Sequence, residues 1–283
     1  MKLNKIMGFT PGKENEAIRT GFSGFDNSFG GLQIGNITSI AARPGMGKTA
    51  FAVSLLRNIG VIQQVPSAYI SLELGEQEIV RRLKASLRGD WNLVSEKLSN
   101  SSAIQELEKI GFFCDESMEQ KRIQMMKDAP VWIEHDIAVS MNEIVSRMER
   151  LRQENGVRLL IIDSLQWIKL SNNYAEQSQA LLKLYQAASR LQVAVVLTST
   201  LSRSAERPFF HIPGLSDLKE WGQIETYSSM VMFIFRPEYY CIECFEDGTP
   251  AEELADIIVA KNSFGGVGNV RLRFAAKASF LEI

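Results

Sequence analysis

The sequence predicts an α/β fold, a doubly wound and mostly parallel sheet with helices on both faces. Three observations carry this. Short, continuous apolar runs recur along the chain, as in Leu159-Leu160-Ile161-Ile162 and Val193 to Leu197. Segments with helical spacing alternate with those runs. One run, Ile37 to Ala42, passes through a glycine-bearing loop straight into a helical segment. Strands buried on both faces need continuous apolar runs, and parallel neighbours need helical crossovers of one hand.

Taken in order, residues 1–19 read as a polar leader with little periodicity, and residues 20–283 as one domain. From Gly21 to Gly35 glycines are dense and signal turns. Ile37–Ala42 is the first strand, and Thr49–Ile59 has helical spacing. Ser67–Leu72 is a second strand and Glu76–Leu87 a helix. Between Arg88 and Pro130 the pattern suggests surface helices, with Ser95–Ile110 the clearest and a charged run reaching Lys127. Val131–Glu134 is a strand, Met141–Gln153 a charged helix, and Leu159–Ile162 a buried strand ending at Asp163. Ser178–Leu191 is an amphipathic helix before the strand at Val193–Leu197. Met230–Phe235, Ile257–Ala260 and Val270–Ala275 complete the strands. No fixed-period repeat interrupts this order.

Composition narrows the function. The chain has 283 residues, 45% of them apolar and 23% charged, which is ordinary for a globular domain. Its 31 Lys and Arg against 33 Asp and Glu leave a formal charge of -2. Any nucleic-acid contact must therefore come from a local basic patch or from several subunits together. Three cysteines make no paired disulfide framework and fit a reducing compartment. No apolar run reaches the roughly 18 residues of a membrane span, and the N-terminus lacks a signal-peptide core. A cytoplasmic location without membrane contact is the expectation.

The sharpest motif is Ala42-Arg43-Pro44-Gly45-Met46-Gly47-Lys48-Thr49. It fits the phosphate-binding pattern G-x-x-x-x-G-K-[ST], with Ala42 in place of the first Gly. Such a loop aims backbone N–H groups at phosphate oxygens. Gly45 and Gly47 allow close approach, Lys48 neutralises the β- and γ-phosphates, and the Thr49 hydroxyl holds Mg²⁺. The following helix adds its positive N-terminal end. Asp163, at the tip of a buried strand, suits the acidic partner that orders the metal's water shell. A strand-terminating turn is its plainer reading. Glu73, just after the second strand, is placed to orient or deprotonate water, or simply opens the next helix as an exposed acid.

Together these segments resemble the RecA-like C-terminal ATPase domain of DnaB-type replicative DNA helicases, from about Thr20 to the end. Thr20-Gly21-Phe22, Phe25-Asp26 and Gly30-Gly31-Leu32 are similar to that family's opening segment. Ala41 to Phe51 is very close to its phosphate loop, including the Ala. Ser71-Leu72-Glu73 matches the segment with its catalytic glutamate, and Ile161 to Gln166 its Walker B strand. Leu201-Ser202-Arg203-Ser204 and Ser216 to Glu220 resemble loops near DNA, while Phe235 to Tyr240 and Ile258 to Asn262 resemble the C-terminal strands. The resemblance implies ATP and Mg²⁺ as cofactors, with Arg43, Gly45, Gly47, Lys48, Thr49 and Ala50 on the nucleotide. It implies a hexameric ring around single-stranded DNA, Lys261 acting on a neighbour's site, and Arg236 on the base side. Arg203, Arg207 and Lys219 then contact DNA phosphates, and a ring multiplies those few cations.

The departures from the family pattern matter equally. Thr200 stands where the family has a Gln that senses the γ-phosphate, and Ser263 where it has a trans-acting Arg. Arg271 or Arg273 is a possible substitute for the latter. Thr226-Tyr227-Ser228-Ser229 replaces an acidic cluster. About twenty residues precede the core, too few for the family's primase-recruiting N-terminal domain, so a separate replication partner is an expectation. Two readings follow: a helicase or translocase motor, and a catalytically weakened nucleotide-binding module that uses ATP as a switch. A RecA-like recombination ATPase that does not unwind duplexes is a third.

Other signals carry less. Cys241-Ile242-Glu243-Cys244 lacks further zinc ligands nearby, so incidental thiols are the simpler expectation. A solvated side chain is expected for His211. Core or interface packing is expected for Trp167 and Trp221, with base stacking as the alternative.

Overall fold

One nine-stranded sheet organises the chain in the computed structural model, which describes residues 16–89, 115–169, 173–201, 212–221, 223–275 and 279–283. A short ribbon of β1 (Ala17–Ile18) and β2 (Leu32–Gln33) precedes it and brackets helix α1 (Ser23–Phe29). Then come β3 (Ile37–Ala42), α2 (Lys48–Leu56), β4 (Ser67–Ser71) and α3 (Glu76–Gly89). After the intervening residues follow α4 (Asp115–Asp128), β5 (Val131–His135), α5 (Met141–Asn155) and β6 (Leu159–Asp163). Next are α6 (Tyr174–Leu191), β7 (Ala194–Thr200), α7 (Gln223–Tyr227) and β8 (Ser228–Phe235). The last strands are β9 (Leu254–Asn262), β10 (Gly268–Ala275) and β11 (Ser279–Leu281).

The order across the sheet is β11-β10-β9-β8-β3-β7-β6-β4-β5. From β8 to β5 all neighbours are parallel, whereas β9, β10 and β11 are antiparallel additions. The central strands are buried on both faces, so their apolar residues run without a break. Ile161 and Val196 join one core with Phe51, Leu55 and Leu83 of α2 and α3. Leu160, Ile162 and Leu197 join the other with Ile144 and Met148 of α5 and Leu181 and Leu184 of α6. Helices therefore cover both faces, as the sequence predicts.

Several boundaries differ from the sequence reading. Helix α6 begins at Tyr174 because Asn173 caps it, its side chain accepting the Ala175 N–H at 2.9 Å. Helix α5 starts on a Ser140–Glu143 capping box. Helix α2 runs on through a π-helical turn over Arg57–Ile62. Ordered structure begins before Thr20, since β1 pairs with β2. The expected helix at Ser95–Ile110 lies outside the described residues. Elements β1, β2, α1 and β11 are too short to show a period, and only their partners reveal them.

Candidate functional site

Four parallel strands end at one place. The carboxyl ends of β3, β4, β6 and β7 lie at a cavity of about 820 Å³, lined by Asp163 and Thr200 from β6 and β7 and by Pro44 and Glu73 just beyond β3 and β4. In a parallel sheet ligands bind outside these ends, where successive crossovers diverge to either side. Strand β3 occupies that point: the chain leaves it toward β4 on one side and returns to β8 on the other.

The loop from β3 into α2 forms the cavity floor. Gly45 and Gly47 have φ of 80° and 100°, a region that side chains with a Cβ rarely adopt. A Cβ on Gly45 would lie 3.0 Å from the Tyr239 ring, and one on Gly47 3.1 Å from Phe274 and 3.2 Å from Phe280. Conformation thus favours glycine at both positions, and a Cβ at either would press on these rings. The Lys48 ammonium donates to the carbonyls of Ala42 at 3.2 Å and Arg43 at 3.4 Å, folding back across the loop. Burial pushes this ammonium below the usual lysine range, and the Asp163 and Glu73 carboxylates pull it back. A half-buried cation held by two carbonyls and facing two carboxylates across the cavity is matched to an anion arriving from solvent.

Asp163 is 2% exposed and held by three hydroxyls. Thr49 Oγ1 and Tyr69 Oη donate to its Oδ2 at 2.8 and 2.7 Å, and Thr198 Oγ1 to its Oδ1 at 2.5 Å. Burial, and then the Asp163 charge, raise the Tyr69 hydroxyl well above the usual tyrosine range, so it stays a donor. Glu73 is exposed and lines the cavity. Its turn is pinned on both sides: Ser71 Oγ accepts the Leu74 N–H at 3.1 Å, and the Leu72 N–H donates to the Asp163 carbonyl at 2.6 Å. Arg236 closes the far side. Its guanidinium donates to the Gly45 carbonyl at 3.3 Å, stacks 4.0 Å over Phe274 and faces Glu238 at 3.7 Å. Burial lowers the pKa of this guanidinium.

A family model for the DnaB-like helicase C-terminal domain matches residues 17–282. The chain belongs to that family. The replicative DNA helicase DnaC of Bacillus subtilis (strain 168) is 31% identical over 262 residues, covering 91% of this chain and 54% of that protein. A probable plasmid replicative DNA helicase of Chlamydia psittaci is 34% identical over 268 residues, covering 92% and 54%. This DnaB-like chain spans about half the length of the curated relatives it matches. Among solved structures, a DnaB-like replicative helicase studied with its primase interactions superposes with a TM-score of 0.77 at 28% identity, covering 99% of this chain and 65% of that one. The fold is RecA-like.

Set against the sequence reading, Gly45, Gly47, Lys48, Thr49, Ala50, Glu73, Asp163, Thr200 and Arg236 all line this DnaB-like cavity. Arg43 lies beside it, 6.0 Å over the Tyr240 ring. Lys261 is elsewhere on the surface of β9, donating to the Glu225 carbonyl at 2.5 Å. Arg203, Arg207 and His211 lie outside the described residues. The Lys219 backbone belongs to a 3-10 turn over Leu215–Trp221, and the side chains of Lys219 and Trp221 lie outside the described part. Arg271 is paired with Asp256 and Asp247 and stacked 3.5 Å over Phe245, and Arg273 is paired with Glu253. Neither extends freely toward a neighbour. Cys241 and Cys244 are free, exposed thiols.

Core packing for Trp167 is corrected: it is 48% exposed and lines the cavity. Its 3-10 turn, Leu165–Trp167, follows directly on Asp163 and turns the indole outward. Sequence reasoning also missed Arg82, Gln166 and Tyr239 in the lining. Gln166 lies three residues after Asp163, a spacing that was a usable signal. Arg82 is tied to Glu78 at i,i+4 and reads from sequence as a surface pair.

Proposed function

We propose that this chain is the ATP-driven motor of a DnaB-type replicative helicase, acting on single-stranded DNA as a homohexameric ring in the cytoplasm. One observation carries the reading most: Lys48, Thr49 and Asp163 meet at the carboxyl ends of β3 and β6, with Thr49 Oγ1 2.8 Å from the carboxylate. In this reading the loop amides of Gly45 to Ala50 cradle the phosphates, and Lys48 exchanges its carbonyl partners for phosphate oxygens. Thr49 and Asp163 would hold Mg²⁺, which when bound neutralises charge on the β- and γ-phosphate oxygens. The hydroxyls of Tyr69 and Thr198 fix the Asp163 carboxylate, so no reorganisation is needed there. Glu73, free at the mouth, accepts the proton of the attacking water. Arg236 and Tyr239 bound the side away from Asp163 and suit the nucleoside. Lys261, outside its own cavity, suits a neighbouring subunit's site. Arg203, Arg207 and Lys219 supply the DNA contacts.

The test is ATP turnover with Mg²⁺, with and without single-stranded DNA, against Lys48→Ala. Turnover that requires Lys48 and rises with DNA is the expected result. Tight ATP binding without turnover above the Lys48→Ala level would reject the motor and leave the switch module. That second reading draws on Thr200, Ser263 and the pairing of Arg271 and Arg273 on their own chain. If coupling is eroded, Thr200→Gln with Ser263→Arg raises DNA-stimulated turnover by about tenfold or more, since a supplied arginine is worth roughly 10³–10⁵ elsewhere. An unchanged rate in the double variant counts against erosion.

A further inference from the structure

Gln166 connects the cavity to the end of β7. It stands in the turn after Asp163 and lines the cavity with Lys48, Thr49 and Thr200. Its amide Nε2 donates to the Ser199 hydroxyl at 3.0 Å and to the Thr200 carbonyl at 3.2 Å. Its Oε1 is buried and has no hydrogen-bond partner among the described residues. Exchanging the amide's O and N would set two acceptors, Oε1 and the Thr200 carbonyl, against each other, so the orientation is fixed by chemistry.

The same strand end is tied to the cavity a second time. The Leu201 N–H donates to the Ala42 carbonyl at 3.0 Å, and that carbonyl also accepts the Lys48 ammonium at 3.2 Å. Both ties reach the cavity lining, one through Gln166 and one through the carbonyl shared with Lys48. An amide docked with one end unsatisfied is held less firmly than a fully bonded one. Turned into the cavity, it has a donor for a phosphate oxygen and an acceptor for a phosphate-bound water.

We propose that Gln166 exchanges its hold on β7 for the terminal phosphate of a bound nucleoside triphosphate, and so sets the backbone at Thr200 and Leu201 by whether that phosphate is present. This rests on the reading of the cavity as an ATP site. Gln166 is a positioning residue for Thr200 and Leu201, the end of the strand that the chain follows toward Arg203 and Arg207.

The experiment compares ADP with a non-hydrolysable ATP analogue on the intact chain, by calorimetric Kd and by hydrogen exchange over Leu197–Leu201. In wild type the analogue changes exchange there relative to ADP. Gln166→Met, of similar length without hydrogen bonds, keeps the ADP Kd within about twofold, binds the analogue about tenfold more weakly, and loses the exchange difference. Gln166→Glu, which keeps an acceptor and loses the donor, behaves the same way. Either variant keeping both the wild-type analogue preference and the exchange difference would overturn the inference, as would equal weakening of both nucleotides. Wild type that bound neither nucleotide would overturn the ATP reading itself, a separate and recognisable failure.

Discussion

Glu73→Gln is expected to bind ATP within about twofold of wild type and to turn it over about 10²–10⁴-fold more slowly, the range for a removed general base. The split between binding and rate follows from position. Glu73 makes no hydrogen bond with another described residue and is exposed at the mouth, so its loss leaves no buried partner unsatisfied. The loop floor, which supplies binding, is built by Gly45, Gly47 and Lys48 without it. Its turn survives the change because Ser71 and the Leu72 N–H pin it through backbone and neighbouring groups. One electrostatic consequence runs the other way. The Glu73 charge helps keep Lys48 protonated, so its removal lowers the Lys48 pKa further. ATP binding by Glu73→Gln should therefore weaken at a lower pH, as pH rises, than in wild type. Single-turnover hydrolysis beside fluorescence titration of the nucleotide reads both quantities. A rate within about threefold of wild type would remove Glu73 from the reaction.

What the sequence displayed, and what it hid, divide along physical lines. The phosphate loop was legible because its chemistry is local: two glycines, a lysine and a threonine in fixed spacing between a strand and a helix. The parallel strands were legible because burial on both faces leaves continuous apolar runs such as Leu159–Ile162. Asp163 was legible as a strand tip. Its three hydroxyl partners were not, since Thr49, Tyr69 and Thr198 come from three elements and meet only through strand order. Of the core or interface packing expected for Trp167, the core half fails for a related reason: only the turn after Asp163 aims the indole outward to the cavity. β11 was invisible at three residues, yet it packs Phe280 against the loop glycine.

That packing makes Arg57 the residue whose loss should most disturb the fold. Arg57 is 1% exposed, an unusual state for a guanidinium, and stands with the buried Asn58 between Leu55-Leu56 and Ile59. It donates to the Asn58 side chain at 3.0 Å, to the Ser86 carbonyl of α3 at 3.2 Å and to the Phe280 carbonyl of β11 at 2.9 Å. One side chain thus fastens an edge strand and a helix to the end of α2. Arg57→Met keeps much of the volume and removes all three donors, so the effect isolates hydrogen bonding from packing. Buried acceptors left unpaired cost about 1–3 kcal/mol each, offset in part because the guanidinium's own desolvation disappears. A net loss of about 3 kcal/mol is expected, or a Tm lower by roughly 6–12 °C. The site feels it as well. Phe280 stacks edge-on to Phe51 at 5.2 Å and limits the space at Gly47, so a loosened β11 loosens the loop. ATP affinity should fall with stability, whereas in Glu73→Gln the two stay independent. Scanning calorimetry with and without nucleotide separates these cases, and a Tm within about 2 °C of wild type would show that β11 is held without Arg57, by its pairing with β10, the Phe280 N–H bond to Ser54 Oγ at 2.9 Å and its aromatic contacts.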